Sequence, residues 1–143
     1  MSERKKLHKI WLAMRSRCSK PTDPDFANYG GRGITVCPEW YNSLEIFLND
    51  MGPRPIGWRL ERKNNDLGYS PANCCWATPT QQTHNQRLRK DNTSGLKGVS
   101  FCRTKQKWFA RGVTNQNYTN LYNGSDFFEA CCRRKSWENR NLP

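Results

Sequence analysis

Acidic residues, histidines and long apolar runs are all scarce in this chain, and each shortage narrows its chemistry. Only 12 of its 143 residues are Asp or Glu, against 24 Lys or Arg, which leaves a formal net charge of +12. A surplus of that size favours polyanionic partners and fast electrostatic association. No apolar run approaches the roughly 20 residues that a bilayer-spanning helix needs. The basic start, Met1-Ser2-Glu3-Arg4-Lys5-Lys6, is followed by Lys9, Arg15 and Arg17 rather than by the apolar core of a signal peptide. A cytoplasmic location with no membrane partner is therefore expected. His8 and His84 are the only imidazoles available for acid–base work.

Hydrophobic residues make up 35% of the chain, so the core must be thin. The 6 Trp and 6 Phe must supply much of it, since each large aromatic buries roughly 150–250 Å². Seven cysteines occur, at 18, 37, 74, 75, 102, 131 and 132. An odd count, two vicinal pairs and no secretion signal argue for reduced thiols. No Cys-x-x-Cys is present, which argues against a structural zinc ion; Cys18, Cys37 and Cys74 are the set that would have to converge to hold one. Burial as small hydrophobes is the commoner fate of such residues.

The basic surplus is not confined to a tail. Residues 1–92 hold 15 basic and 9 acidic residues, and residues 93–143 hold 9 and 3, so each part carries +6. Leu7, Ile10, Trp11 and Met14 recur at helical spacing and predict a helix over 3–19, stopped by Pro21 and Pro24. A glycine turn at 28–33 precedes a short strand, Ile34–Cys37, and a second helix is expected over 39–50. Two short strand-like runs surround the turn at 63–73, and a helix is expected over 78–90. After a polar break at 91–95 come strand candidates at 98–102, 108–114 and 118–122, with a turn at 115–117 between the last two. A closing helix with Ser125 as its N-cap follows. The fold class is α+β in two parts, residues 1–92 and 93–143.

The stretch from Arg59 to Asn85 carries the chemistry. A single-metal phosphodiesterase needs oxygen ligands that place a hard cation on the phosphate, a base for the water, and a polar group that holds the parts in line. Here Glu61-Arg62 ends one run, an Asn/Asp/Gly turn follows, Asn73 opens the second run, and Gln81, Gln82, His84 and Asn85 lie on the helix. With Trp11-x-x-Met14-x-x-Arg17-Cys18, Tyr29-Gly30-Gly31-Arg32-Gly33-Ile34, Cys37-x-x-Trp40 and Gly68-Tyr69-Ser70-Pro71-x-Asn73-Cys74-x-Trp76-Ala77-Thr78, this pattern resembles the HNH (ββα-metal, His-Me finger) nucleases over nearly the whole of the first 87 residues. The likeness is strongest to the phage-encoded homing endonucleases. It implies metal-dependent hydrolysis of DNA phosphodiesters, with Mg²⁺ or Mn²⁺ held by Glu61 together with Gln82 or Asn85. Asn73 would order the loop. Arg62 falls where the family's base histidine stands, and a guanidinium cannot serve as a general base. It is assigned instead to gripping the scissile phosphate. Tyr69, His84 or water on the metal are the candidates for the proton acceptor.

The segment Gly95-x-x-Gly98-Val99-Ser100-Phe101, Lys107-Trp108-x-Ala110-Arg111 and Phe127-Phe128-Glu129-Ala130-Cys131 resembles the AP2-type DNA-binding domain, a three-stranded sheet on one helix. Between Gly95 and Arg111 there are five basic residues and no acid. Val99, Phe109 and Val113 are expected toward the helix and Arg103, Lys105, Lys107 and Arg111 outward, with the parity of each strand left open; on an outer face Arg can read base edges in the major groove. With Lys97, Arg32, Arg87 and Arg89 these complete the expected contacts to double-stranded DNA, while Trp108 is read either as packing on the sugars or as a core anchor. Two other readings stand beside the nuclease. One is a non-catalytic DNA-binding regulator or host-takeover protein on a degenerate HNH scaffold. The other is a module that docks on an acidic host or phage protein.

Overall fold

In the computed structural model, which describes residues 1–115 and 117–142, the apolar spacing of the first segment becomes helix α1, Glu3–Ser19. Its Leu7, Trp11 and Met14 are buried. The described residues form an α+β protein of two compact units, Met1–Asn85 and Gln86–Pro143. The polar break expected at 91–95 lies within the second. No helix among the described residues is long and apolar enough to cross a membrane.

In the first unit, two short 3₁₀ turns follow α1, at Phe26–Asn28 and Gly30–Arg32. The strand expected at 34–37 is reduced to one isolated parallel bridge, Val36 to Tyr69. The helix expected over 39–50 is two helices, α2 (Pro38–Asn42) and α3 (Leu44–Met51). Ser43 breaks it: its backbone is extended, and its side chain accepts from Ile46 N to cap α3. Strands β1 (Arg59–Arg62) and β2 (Cys74–Ala77) pair antiparallel, with Glu61 opposite Cys75. Helix α4 (Pro79–Asn85) then ends five residues short of the expected 78–90 span.

A single core joins these elements. It contains Trp11, Met14, Ile34, Val36, Trp40, Phe47, Leu60, Tyr69 and Cys74. A large indole is tolerated inside only when its N–H finds an acceptor. Trp11 Nε1 donates to Trp40 O at 2.6 Å, Trp40 Nε1 to the Asp50 carboxylate at 2.7 Å, and Trp76 Nε1 to Met51 O at 2.9 Å. Trp40 also meets the Phe47 ring edge-on at 5.0 Å. These indoles tie α1, α2, α3 and β2 together.

In the second unit, β3 (Val99–Cys102), β4 (Lys107–Thr114) and β5 (Asn117–Gly124) form an antiparallel sheet in that order. The expected turn at 115–117 includes Gln116, which lies outside the described residues; Asn115 takes a positive φ of 47°. Helix α5 (Phe127–Asn141) covers one sheet face, and its cap is Asp126 rather than Ser125, because the Asp126 carboxylate accepts from Glu129 N at 3.0 Å. Its core is small: Val99, Ala110 and Ala130, edged by Trp108, Leu121 and Tyr122. Gly112 sits directly under Trp137, where a Cβ would lie 2.3 Å from the indole. Gly112→Ala is therefore expected to destabilise the second unit by about 1–3 kcal/mol, the usual cost of overpacking. Urea denaturation followed by far-UV circular dichroism checks this, and an unchanged midpoint would refute it.

Candidate functional site

Strand alternation decides which side chain of the Glu61-Arg62 pair faces where. Along β1, Leu60 and Arg62 are buried, while Arg59 is exposed and Glu61 half-buried. Arg62 is only 6% exposed. Its Nη1 donates to Asn65 O at 2.7 Å and Leu67 O at 2.8 Å, and its guanidinium lies 5.0 Å from the Tyr29 ring centre and 5.1 Å from that of Tyr69. The expectation that Arg62 grips a phosphate is therefore corrected: the group is enclosed and committed to loop carbonyls. Arg32 braces the same loop, donating to the Asp66 carboxylate at 2.7 Å and to Asn28 O at 3.2 Å.

Asn73, 7% exposed, closes the loop from the other side. Its Oδ1 accepts from Asn64 N at 2.9 Å, and its Nδ2 donates to Gly68 O at 2.9 Å and Asn64 O at 3.1 Å. Gly68 allows the loop to lie against Thr35, whose carbonyl oxygen would be 2.5 Å from any Cβ there. Tyr69 N then donates to Thr35 O, and Cys37 N to Tyr69 O, both at 2.8 Å. The loop is thus held by a buried cation, a buried carboxamide and two main-chain bonds.

With Arg62 turned inward, Glu61 points toward α4. Asn85 Nδ2 donates to Glu61 Oε1 at 3.2 Å and to Arg62 O at 2.5 Å, while Asn65 Nδ2 donates to Asn85 O. Asn65 was missed by the sequence reading, because nothing in an Asn-rich turn says which Asn faces the helix. Gln82 sits one turn away, its Oε1 accepting from Arg59 Nη1 at 3.4 Å. The structure therefore brings Asn85, not Gln82, against Glu61. His84 is half-buried beside Asn85 on α4.

Tyr69 is 3% exposed, and burial pushes its hydroxyl far above its ordinary range. A phenol held neutral and enclosed does not suit the role of proton acceptor, which removes Tyr69 from the candidates. Burial likewise raises the Cys18 and Cys37 thiols and pushes Cys74 up to about 11. All seven cysteines are free thiols.

Among the described residues no group of three or more His, Cys, Asp or Glu is placed to hold a metal ion. The Glu61 carboxylate and the Arg62 carbonyl nevertheless meet as two hard oxygens at the Asn85 carboxamide. The Asn85 carboxamide turns its Nδ2 to both of these oxygens, so it offers a donor there, and a cation at this point would have to displace those hydrogen bonds and turn the carboxamide to take its oxygen. Such a sparse set fits Mg²⁺, which keeps several waters and takes one or two carboxylates plus phosphate oxygens.

In the second unit, the sheet face away from α5 carries Lys107, Phe109 and Arg111 on β4. Phe109 is flanked by Lys105 Nζ at 5.9 Å and the Arg111 guanidinium at 5.7 Å from its ring centre. A bulge at Ala110/Arg111 shifts the register, so Ala110 faces Tyr122 while Arg111 faces Asn120. Leu121 and Tyr122 thereby both pack on the core, while Asn120 and Asn123 stay exposed. One expectation is overturned here and one open choice is decided. Phe109 lies on the outer face, opposite Asn123, as does Val113, opposite Tyr118. Trp108 packs inward against the rings of Phe101 at 5.0 Å and Phe127 at 4.5 Å, so it is a core anchor. Arg103 is exposed, Lys97 half-buried and Arg87 exposed, and Arg89 pairs with Asp91 at 2.9 Å.

Compared with known proteins, the chain is 32% identical over 88 residues to Protein 3.8 of Escherichia phage T7, a match covering 60% of this chain and 71% of that protein. No protein-family profile matches it, and no solved structure does.

Two expectations follow for stability. Arg62→Met should cost about 3 kcal/mol, since two loop carbonyls lose a charged donor, whereas Arg59→Met should stay within about 0.5 kcal/mol; urea midpoints of the two variants decide. Cys74, raised in the fold, contributes stability that is complete below the unfolded thiol value near 9 and is lost as pH climbs toward about 11. The urea midpoint should therefore fall between about pH 8 and about pH 10.5, and fall less in Cys74→Ala. An equal fall in both proteins would contradict this.

Proposed function

This chain belongs to the family of Protein 3.8 of Escherichia phage T7, and we propose that it is a phage-encoded, metal-dependent DNA endonuclease of the HNH type, joined to an AP2-like module that reads double-stranded DNA. The observation that carries this reading is the meeting of Glu61 on β1 with Asn85 on α4, over a loop locked by Asn73. The strand–loop–strand–helix order is the one the ββα-metal family uses. The proposed place of action is the cytoplasm of the infected host.

Glu61 and Asn85 would hold the divalent cation, Mg²⁺ or Mn²⁺. When bound, that ion supplies Lewis-acid polarisation of the scissile phosphate. Asn73 and Arg62 act from behind, fixing the loop so that the Glu61 carboxylate stays against α4. His84 is the side-chain proton acceptor that remains once Tyr69 is set aside, and it lies next to Asn85. Phosphate gripping passes from Arg62 to exposed cations such as Lys63, its neighbour in sequence, whose Nζ donates to Ala72 O at 3.3 Å. Lys105, Lys107 and Arg111 would meet the DNA on the sheet face, where Arg111 lies opposite Asn120. Arg and Asn are the side chains that pair bidentately with guanine and adenine edges.

The burial of Arg62 in the base position also favours a second reading, a DNA-binding regulator on a scaffold that no longer cuts. Cleavage of supercoiled and phage DNA with Mg²⁺, Mn²⁺ or EDTA separates the two. The nuclease reading expects metal-dependent cutting that falls by about 100-fold or more in Glu61→Ala, the scale on which losing one electrostatic contributor to a transition state acts. Tight binding without cutting under either metal would establish the regulator. Weak binding with a flat salt dependence would point instead to a protein-docking module.

A further inference from the structure

Helix α5 sends one buried cation to the strand that is proposed to read DNA. Arg134 is only 4% exposed. Its Nε donates to Glu138 Oε1 at 2.9 Å, and its Nη1 donates to the main-chain oxygen of Arg111 at 2.6 Å. The guanidinium also lies 4.8 Å from the Trp137 ring centre. A carboxylate, a carbonyl and a ring together fix a planar cation in one orientation.

Arg111 sits where the sheet itself supports it least. Strand β3 starts at Val99, opposite Ala110, so Arg111 runs past the end of that strand. On the other side the bulge at Ala110/Arg111 interrupts the ladder to β5, and a bulge locally bends the strand that carries it. The Arg111 main chain is held by other means. Its N donates to Gly98 O at 2.8 Å, and its O accepts from Arg134. Gly98 makes room for that donor. It takes a φ of 75°, and a Cβ there would lie 2.5 Å from Arg111 O and 2.8 Å from Arg134 Nη1. The Arg111 side chain runs to the opposite face, where its guanidinium lies 5.7 Å from the Phe109 ring centre.

We infer that Arg134 is a positioning residue for base recognition: it fixes the Arg111 backbone at the bulge, so that the Arg111 guanidinium is presented to a base edge in one orientation. The inference rests on the proposed DNA-reading role of this sheet face and deepens it. Bidentate pairing with a base edge tolerates little displacement of the side chain that makes it. Arg134 is enclosed on the helix side of the sheet and touches no DNA, so its influence passes through Arg111 alone.

The test sequences the bound and unbound pools of a random-sequence DNA duplex library, with EDTA present, for the full chain and its Arg111→Ala, Arg134→Met and Arg134→Lys variants. The unaltered chain is expected to show base preferences, at least one of which disappears in Arg111→Ala. Arg134→Met is expected to weaken that same preference by about tenfold and to leave the others standing. The salt slope of binding should not change, because no phosphate contact is removed. A merely structural role would blunt all preferences alike, and that result overturns the inference, as does an Arg111-dependent preference that survives in Arg134→Met. Should Arg134→Met fail to fold by far-UV circular dichroism, Arg134→Lys decides. It keeps the charge beside Glu138 but lacks the fork that reaches Glu138 and Arg111 O together. A smaller loss at the same base position is then expected, and full retention overturns the inference. An unaltered chain with no Arg111-dependent preference removes the DNA-reading proposal and this inference with it, an outcome that Arg111→Ala tells apart from failure at Arg134 alone.

Discussion

The Arg62 guanidinium inside the 63–73 loop is the constraint on which the first unit's site depends. A buried cation without a carboxylate partner needs acceptors in place of water, and the carbonyls of Asn65 and Leu67 both accept from Arg62 Nη1, with the guanidinium beside the Tyr29 and Tyr69 rings. Those bonds fold the loop back on β1, where Asn73 and the Thr35–Tyr69 contact hold it. Because strand side chains alternate faces, Arg62 inside means Glu61 outside. The only carboxylate of the hairpin strands is thereby delivered to α4 and to Asn85. One residue's slip in β1 would bury the acid and expel the cation, which is why this register is strongly specified.

The same alternation explains what could be read from the sequence and what could not. Helix α1 was legible because Leu7, Trp11 and Met14 repeat at its period and prolines end it. The hairpin was legible because its turn residues are so distinctive. Ser43 was not legible as a break, since a serine inside an amphipathic run reads equally as a surface position. The end of α4 at Asn85 was hidden by the basic residues after it, which are good helix formers. At the site, Glu61 and Asn73 stood out by spacing. The inward turn of Arg62 did not, because an arginine beside an acid resembles any surface pair until its carbonyl partners are seen. Choosing Asn85 over Gln82 needed the three-dimensional meeting itself.

In the second unit the parity of β4 was the open point, and two small features settle it. Gly112 leaves room only for Trp137 above it, so Gly112, Ala110 and Trp108 form the covered face. The bulge at Ala110/Arg111 then lets β5 give Leu121 and Tyr122 to the core while Asn120 and Asn123 remain outside. Bulges commonly re-aim side chains in this way. The outcome is a sheet face where Phe109 lies between Lys105 and Arg111. Apolar surface flanked by cations suits a nucleic acid better than it suits bulk water, and that is the face proposed to read DNA.

The most direct test of the account is whether Glu61 and Asn85 share a divalent ion. Paramagnetic Mn²⁺ added to the full chain should broaden the Asn85 carboxamide NMR signals at substoichiometric concentrations, and Glu61→Ala should abolish that broadening while leaving the Asn73 carboxamide signals in place. Asn85 signals untouched by Mn²⁺, or broadened equally without the Glu61 carboxylate, would contradict a metal centre at this hairpin.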